Sequence, residues 1–371
     1  MSRCLYLLVF SLLHIFSFMD YQSWNYKSVD QNIRNKYLKA IDDSQIPTKA
    51  YDLTLSLPKG FVKDGTVDYT RYLQNAINAH PIAVMPPFPV LININGLQLP
   101  SNSVLYFKSK SLLQYRGQTT SVKDDILKIY DKMDVTVYNA RINGNRKFSD
   151  RQAGQWNAGI SIINSQNVQI INPQISNTWG DGIFIGSENG KFSENVRVNG
   201  GWIDSARRNG ISITSAKNSV VNNILISNTN GHDPQCGIDV EPSWDKDVIE
   251  NINIQNVYTY NNKLAGISVN MSPLGVDNIN EQKKISLLIS NHTDNGSQFG
   301  FLTSFDNVAK KYNAIGSVKI ENSNWRLSKK PYWRNKTQSN IELRFQNVQI
   351  NPSSAIDFKE MTNDKNIIFS N

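Results

Sequence analysis

The sequence predicts an all-β fold, a single-stranded parallel β-solenoid (β-helix) closed at its start by one capping helix. The first observation is a phrase of glycine followed by apolar, variable and usually apolar residues, restarted six times. The copies are Gly159-Ile-Ser-Ile162, Gly182-Ile-Phe-Ile185, Gly210-Ile-Ser-Ile213, Gly237-Ile-Asp-Val240, Gly266-Ile-Ser-Val269 and the degenerate Gly300-Phe-Leu-Thr303. They lie roughly 23–34 residues apart, the interval of solenoid repeats. Second, further short apolar phrases accompany the coils: Asn167-Val-Gln-Ile170, Asn195-Val-Arg-Val198, Asn223-Ile-Leu-Ile226, Asn251-Ile-Asn-Ile254 and Ser317-Val-Lys-Ile320, with third strands such as Pro173-Gln-Ile-Ser176 and Gly201-Trp-Ile-Asp204. Three alternating strands per turn wind a coil whose apolar side only stacking can bury. Third, asparagine recurs at the turns, where it tolerates the left-handed backbone of sharp corners.

Taken from the start, residues 1–19 hold Arg3 and then an apolar run to Phe18, too short for a comfortable membrane span. They read as a signal peptide, with an uncleaved N-terminal anchor as the alternative. Residues 20–60 form a polar N-terminal extension with scattered aromatics. A helix follows near Thr70–Asn78, capped by Asp68 or Thr70, with Tyr72, Leu73, Ala76 and Ile77 on one face; it would close the first coil against water. The solenoid is expected over 61–350, its pattern decaying after about Ser304, and residues 351–371 form a C-terminal cap.

Composition narrows the function. The 371 residues are 39% hydrophobic and 19% charged, with a net charge of +8 spread along the chain rather than gathered in a run. That spread, without a nucleic-acid motif or zinc spacing, argues against nucleic acid and fits attraction to an acidic polymer. Once the leader is set aside only Cys236 remains, so no internal disulfide is expected. A small buried residue before Gly237 suits it better than a thiolate nucleophile.

The Gly65-Thr-Val-Asp-Tyr-Thr-Arg-Tyr-Leu-Gln-Asn-Ala-Ile77 stretch, Leu99-Pro-Ser-Asn-Ser-Val-Leu105 and the Gly-Ile-x-Ile coils resemble right-handed parallel β-helix proteins of the pectate lyase superfamily, over about residues 60–350. The resemblance implies a right-handed helix and a carbohydrate-active role. It leaves hydrolase, lyase, epimerase and tailspike open, although the leader argues against a tailspike. Asn177-Thr-Trp-Gly-Asp-Gly182 is similar to the Asn-Thr-Asp-Gly motif of polygalacturonases, with Asp181 the nearest equivalent carboxylate. The paired aspartates, Gly-His-Gly and Arg-Ile-Lys of that family are not found. His232-Asp-Pro234 loosely resembles the Asp-Pro-His of alginate epimerases in a different order.

Aligned on the glycine, the residue after it points inward and the next points outward. The outward columns are then Ser161, Phe184, Ser212, Asp239, Ser268, and Ile163, Gly186, Thr214, Glu241, Asn270. The fourth copy is the anomaly, because it alone places two carboxylates there. The preceding turns stack Trp179 and Asp181, Arg207 and Arg208, His232 and Asp233, then Lys263 beside that pair. Asp181, Asp239, Glu241, Asp233 and His232 are the catalytic candidates; Trp179, Arg207, Arg208, Lys263 and Asn270 are the substrate-binding ones. Phe184, Trp202 and Trp244 are further sugar-stacking candidates, with core packing preferred for Trp202, and Arg146, Arg151 and Trp156 are candidates for a groove wall.

A glycosidase uses two carboxyls flanking the bond, ~6.5–9.5 Å apart for inversion. A lyase uses Ca²⁺ or a basic residue to neutralise a uronate, so Asp239 and Glu241 become candidate Ca²⁺ ligands in that case. A uronate C5-epimerase needs similar parts. The expectation is a secreted or periplasmic enzyme cleaving an acidic polysaccharide, hydrolysis leading and needing no cofactor, with β-elimination or epimerisation as alternatives. A non-catalytic β-helix adhesin or carbohydrate-binding protein is the reading from another class.

Overall fold

The computed structural model describes residues 24–116, 124–146, 154–274, 282–305, 314–334, 340–351 and 367–370. The expected signal peptide, Arg151 and most of the 351–371 cap lie outside them. The described chain is a parallel β-solenoid of three sheets, one of thirteen strands and two of nine, with very few helices. Every strand pairing between coils is parallel.

The glycine phrases begin the strands of one nine-stranded sheet, called here the glycine sheet. Ile160, Ile183, Ile211, Ile238 and Ile267 stand in one register column and are all fully buried. None of the five regular glycines (159, 182, 210, 237, 266) needs a left-handed backbone. A Cβ at each would instead lie 2.5–2.8 Å from the carbonyl oxygen of the next coil's glycine. Close approach between coils therefore selects glycine at this corner.

One repeat assignment is corrected. In the long sheet Ile170, Val198, Val221, Ile254, Ile289 and Ile320 share a column, so the third copy is Val220-Val221 rather than Asn223-Ile-Leu-Ile226. Residues Leu225–Ser227 belong to the third sheet, beside Trp202–Asp204. The reason is a corner asparagine on each side: Asn218 and Asn223 both have positive φ, and either fits the phrase. Such asparagines form ladders, Asn167 donating to Asp134, Asn195 to Asn167 and Asn251 to Asn218 at 2.9–3.0 Å. These ladders run along the exposed corner and tie each coil to the next.

The capping helix spans Thr70–Ala79. Its N-cap is Tyr69, which makes no side-chain capping bond, rather than the expected Asp68 or Thr70; Asp68, one residue earlier, accepts from the Thr70 N–H at 2.8 Å across a two-residue turn. Its buried face is Thr70, Leu73, Ala76 and Ile77, preceded by buried Tyr69, whereas Tyr72 is 42% exposed, against expectation. The N-terminal extension is a strap along the outside of the third sheet. Asn261, Asn228 and Asn172 hydrogen-bond the strap backbone at Asn25, Lys27 and Lys39. Trp202 is not a core residue: it faces outward under this strap, with the Arg34 guanidinium 5.1 Å from its ring and its Nε1 donating to Ser227 Oγ. The solenoid begins before residue 61, since Tyr51–Asp52 already pair with Ala83–Val84.

Candidate active site

The first predicted column holds residue for residue, and the second begins in register at Ile163 and Gly186. Ser161, Phe184, Ser212, Asp239 and Ser268 are in register across the glycine sheet. Glu241 follows on the same side, its N–H bonded to Ile213 O at 3.0 Å. The turns stack as well: the Arg207 N–H donates to Thr178 O, that of Arg208 to Gly180 O, that of His232 to Arg207 O and that of Lys263 to Thr229 O. Local repetition has thus brought distant turns to one end of these strands.

Their exposure differs from expectation. Asp181, Asp239 and Glu241 are only 4%, 2% and 9% exposed, so the outward face is buried here rather than solvated. Arg208 explains how three acids tolerate this. Its Nη1 lies 3.0 Å from Asp181 Oδ2 and 3.1 Å from Ser212 Oγ, and its Nη2 lies 3.6 Å from Glu241 Oε2. Arg208, expected as a substrate clamp, is thus an internal counter-ion. Asp181 and Glu241 are held one guanidinium apart.

Asp239 and Glu241 are not a separated pair. The Glu241 charge acts on the Asp239 carboxyl beside it. Burial first, and then the Glu241 charge, push the Asp239 carboxyl well above the ordinary carboxylate range, against the opposing pull of Arg208. Burial also raises Asp181, opposed chiefly by Arg208. For Arg208 burial acts downward, but Asp181, Glu241 and Asp239 outweigh it and keep the guanidinium charged. The donor set does not suit Ca²⁺ at Asp239 and Glu241: an arginine already supplies the positive charge, and among the described residues no group of three or more His, Cys, Asp or Glu converges as ligands.

Asn209 is the residue the sequence reading missed. It is fully buried and joins the whole cluster. Its N–H donates to Asp181 Oδ1 at 3.0 Å, its Nδ2 reaches Ser212 Oγ and Asp239 Oδ2 at 3.0 and 3.3 Å, and its Oδ1 accepts from the Cys236 N–H at 2.9 Å. The column immediately before each glycine (Ala158, Asp181, Asn209, Cys236, Ala265) carried this signal. Asn270, a binding candidate, donates to Glu241 Oε1 at 2.8 Å and so orients a carboxylate. Cys236 is buried and its thiol pushed up by burial, as suits a packing residue.

The remaining candidates line the approach. Arg207 lies 4.1 Å over the Trp179 ring, so that ring face is covered. His232 is half-buried; burial, then Arg207 and Arg208, lower its pKa and favour neutral imidazole. Asp233 is exposed, accepts from Gln235 Nε2 and precedes a cis proline. Lys263 is half-buried in the next turn, and Phe184 is half-buried in its column. Trp156 and Trp244 are 37% and 53% exposed; Asp247 fixes the Trp244 loop by accepting from the Ser243 and Trp244 N–H groups and Ser187 Oγ.

No protein-family model matches the chain. The uncharacterized protein YclG of Bacillus subtilis (strain 168) is 29% identical over 166 residues, 41% of this chain and 26% of YclG, so the match spans about a quarter of that relative's length. Among solved structures, an iota-carrageenase complexed to iota-carrageenan fragments aligns over 94% of this chain and 95% of its own, with 12% identity and a TM-score of 0.60. A mutant tailspike protein of an E. coli bacteriophage in complex with a hexasaccharide covers 81% of this chain and 57% of its own, with 12% identity and a TM-score of 0.60. The Streptococcus pneumoniae surface protein and adhesin PfbA covers 87% and 96%, with 15% identity and a TM-score of 0.53. At such identities these are likenesses of fold. The chain shares its parallel β-solenoid with a carrageenase, a tailspike and a surface adhesin.

Proposed function

We propose that the protein is a secreted or periplasmic member of the right-handed β-helix glycan-processing proteins, akin to the pectate lyase superfamily, that hydrolyses a glycosidic bond in an acidic polysaccharide. The observation that carries the reading is the buried carboxylate cluster, in which Asp181 and Glu241 flank the Arg208 guanidinium and Asp239 is held beside them by Asn209. Burial and the neighbouring Glu241 charge hold the Asp239 carboxyl well above the ordinary carboxylate range, which favours its acid form. Asp239 would be the source of the proton for the glycosidic oxygen, relayed by Glu241, the more exposed carboxylate of the two. Asp181, one guanidinium away, would take a proton from the attacking water. That separation is compatible with the ~6.5–9.5 Å of an inverting pair. His232, held neutral, is the alternative base.

Arg208 is committed to Asp181 and Glu241, which disfavours β-elimination or epimerisation that would use it to neutralise a uronate. Its pairing does favour a second reading. Each carboxylate of the cluster already has internal partners, and a buried network with its acids so held also serves a rigid, non-catalytic binding face. The likeness to an adhesin supports that alternative.

Purified protein and its Glu241→Gln variant, incubated with a panel of acidic polysaccharides with and without EDTA, separate these readings. Hydrolysis predicts new reducing ends without unsaturated-uronate absorbance, indifferent to EDTA, and a rate lowered at least about a hundredfold in the variant. Unsaturation would establish a lyase instead. Altered uronate composition at constant chain length would establish an epimerase. Glycan binding without turnover, equal in both proteins, would establish the binder.

A further inference from the structure

Seven Asn-Gly pairs lie along the chain, beginning at Asn95, Asn143, Asn189, Asn199, Asn209, Asn230 and Asn295. In such a pair no Cβ on the following residue shields its nitrogen from the asparagine side-chain carbon, and the glycine backbone turns freely toward it. Attack then needs two freedoms: an N–H that is not already bonded, and a side chain that can swing back to meet it.

The corners of the solenoid remove these freedoms at six of the seven. The N–H groups of Gly96, Gly144, Gly200, Gly210 and Gly296 donate to Asn93, Ser176, Asn222, Cys236 and Leu327 carbonyls at 2.9–3.0 Å, and that of Gly231 to Gln235 Oε1 at 2.7 Å. Most of the side chains are held too. Asn143 Oδ1 accepts from the Asn145 N–H, Asn199 Oδ1 from Asn222 Nδ2, and Asn295 Nδ2 donates to the Tyr258 hydroxyl. Asn209 is locked in the carboxylate cluster. Asn230 Nδ2 donates to Asn228 O and its Oδ1 accepts from Arg146 Nη2, with Arg146 and Arg207 packed over Gly231.

The pair Asn189-Gly190 has neither restraint. Both residues are exposed, and among the described residues neither the Gly190 N–H nor the Asn189 side chain has a hydrogen-bond partner. They form the centre of a turn with φ of +61° and +73°, closed only by the Lys191 N–H to Glu188 O at a long 3.4 Å.

We infer that Asn189 is a site of spontaneous deamidation, where the native fold leaves an Asn-Gly pair able to cyclise. The Gly190 nitrogen bonds to Asn189 Cγ, the Cγ–Nδ2 bond breaks, and the displaced proton of Gly190 leaves with that nitrogen as ammonia. Water then opens the cyclic imide at either carbonyl, giving aspartate or its isomer with the chain routed through the side chain. The modified turn gains a carboxylate against the Lys246 stem, since a Cβ at Gly190 would lie 3.2 Å from Lys246 Cδ. Ser187 ties this loop to Asp247, which holds the Trp244 loop, so the new charge arises at that rim and away from the carboxylate cluster.

The test incubates the full-length protein at mildly alkaline pH, folded and in urea, and maps its peptides by mass spectrometry with electron-transfer fragmentation. In the folded protein Asn189 should convert at least about tenfold faster than each of the other six, because they must first open a hydrogen bond. In urea all seven should convert at similar rates. Ion exchange should resolve an acidic variant that grows with time, and Asn189→Gln should prevent its early appearance. Any of the other six converting as fast as Asn189 in the folded protein overturns the assignment. So does a lead for Asn189 that persists undiminished in urea, since local sequence rather than the fold would then select it. An early acidic variant surviving in Asn189→Gln overturns it as well.

Discussion

At the scale of single residues, burial decides what the acids of this molecule can do. Asp239 and Glu241 read in the sequence as outward residues, yet both are buried, Glu241 beside Arg208, and they are oriented by Asn209 and Asn270. A second buried acid shows the same physics away from the site. Asp294 occupies the inward column of the third sheet and accepts from Thr259, Ser297 and Ser328 hydroxyls at 2.6–2.7 Å. Burial raises its pKa from 3.8 to about 6, those hydrogen bonds opposing it. The native state therefore binds more protons than the unfolded chain between these values, and stability falls as pH rises through that window. Denaturant titrations of wild type and Asp294→Asn should show the difference between them changing by ~3 kcal/mol over the window, with wild type losing stability as pH rises. A pH-independent difference would contradict this assignment.

At the scale of one element, the glycine sheet owes its regularity to contacts between coils. The repeated glycine was legible as a counting device, but the reason for it was not. Only the stacked coils show that each glycine faces the next glycine's carbonyl. A methyl at Gly237 would lie 2.5 Å from Gly266 O and 2.7 Å from Thr259 Cγ2. Gly237→Ala should destabilise the protein by ~1–3 kcal/mol through this overpacking, read as a lowered thermal midpoint. Because it displaces the strand carrying Asp239, it should also lower glycan turnover; an unperturbed midpoint would mean the coils can separate at that corner.

At the scale of the whole molecule, the solenoid carries one continuous core and an external strap. Residues near Asn25, Lys27 and Lys39 reach three corner asparagines spread over several coils. Tyr37 lies 6.1 Å from Tyr258, and Arg34 covers Trp202. Removing the strap through Leu38 should cost about 2–4 kcal/mol from the lost hydrogen bonds and ring cover. Hydrogen exchange should then rise at Trp202–Ser227 and Tyr258–Tyr260, while exchange in the glycine sheet stays as it was. Uniform loosening of all three sheets would show that the strap acts on global stability instead.

Local chemistry repeated at a roughly regular interval was enough to read the solenoid, the strand register of the glycine sheet, the capping helix and the side of the sheet that carries Asp239 and Glu241. Each of those depends on residues close in sequence or separated by one repeat. The phrase at Asn223 was misplaced because Asn218 and Asn223 are both legitimate corners, and local pattern does not choose between them. Trp202 was read as core because strand alternation does not reveal the strap that covers its outward face. The burial of Asp239 and Glu241, the Arg208 bridge, the Asn209 hub and the approach of Arg146 to Arg207 were decided by tertiary structure. Side chains from turns tens of residues apart meet there, and their burial sets which of them hold charge.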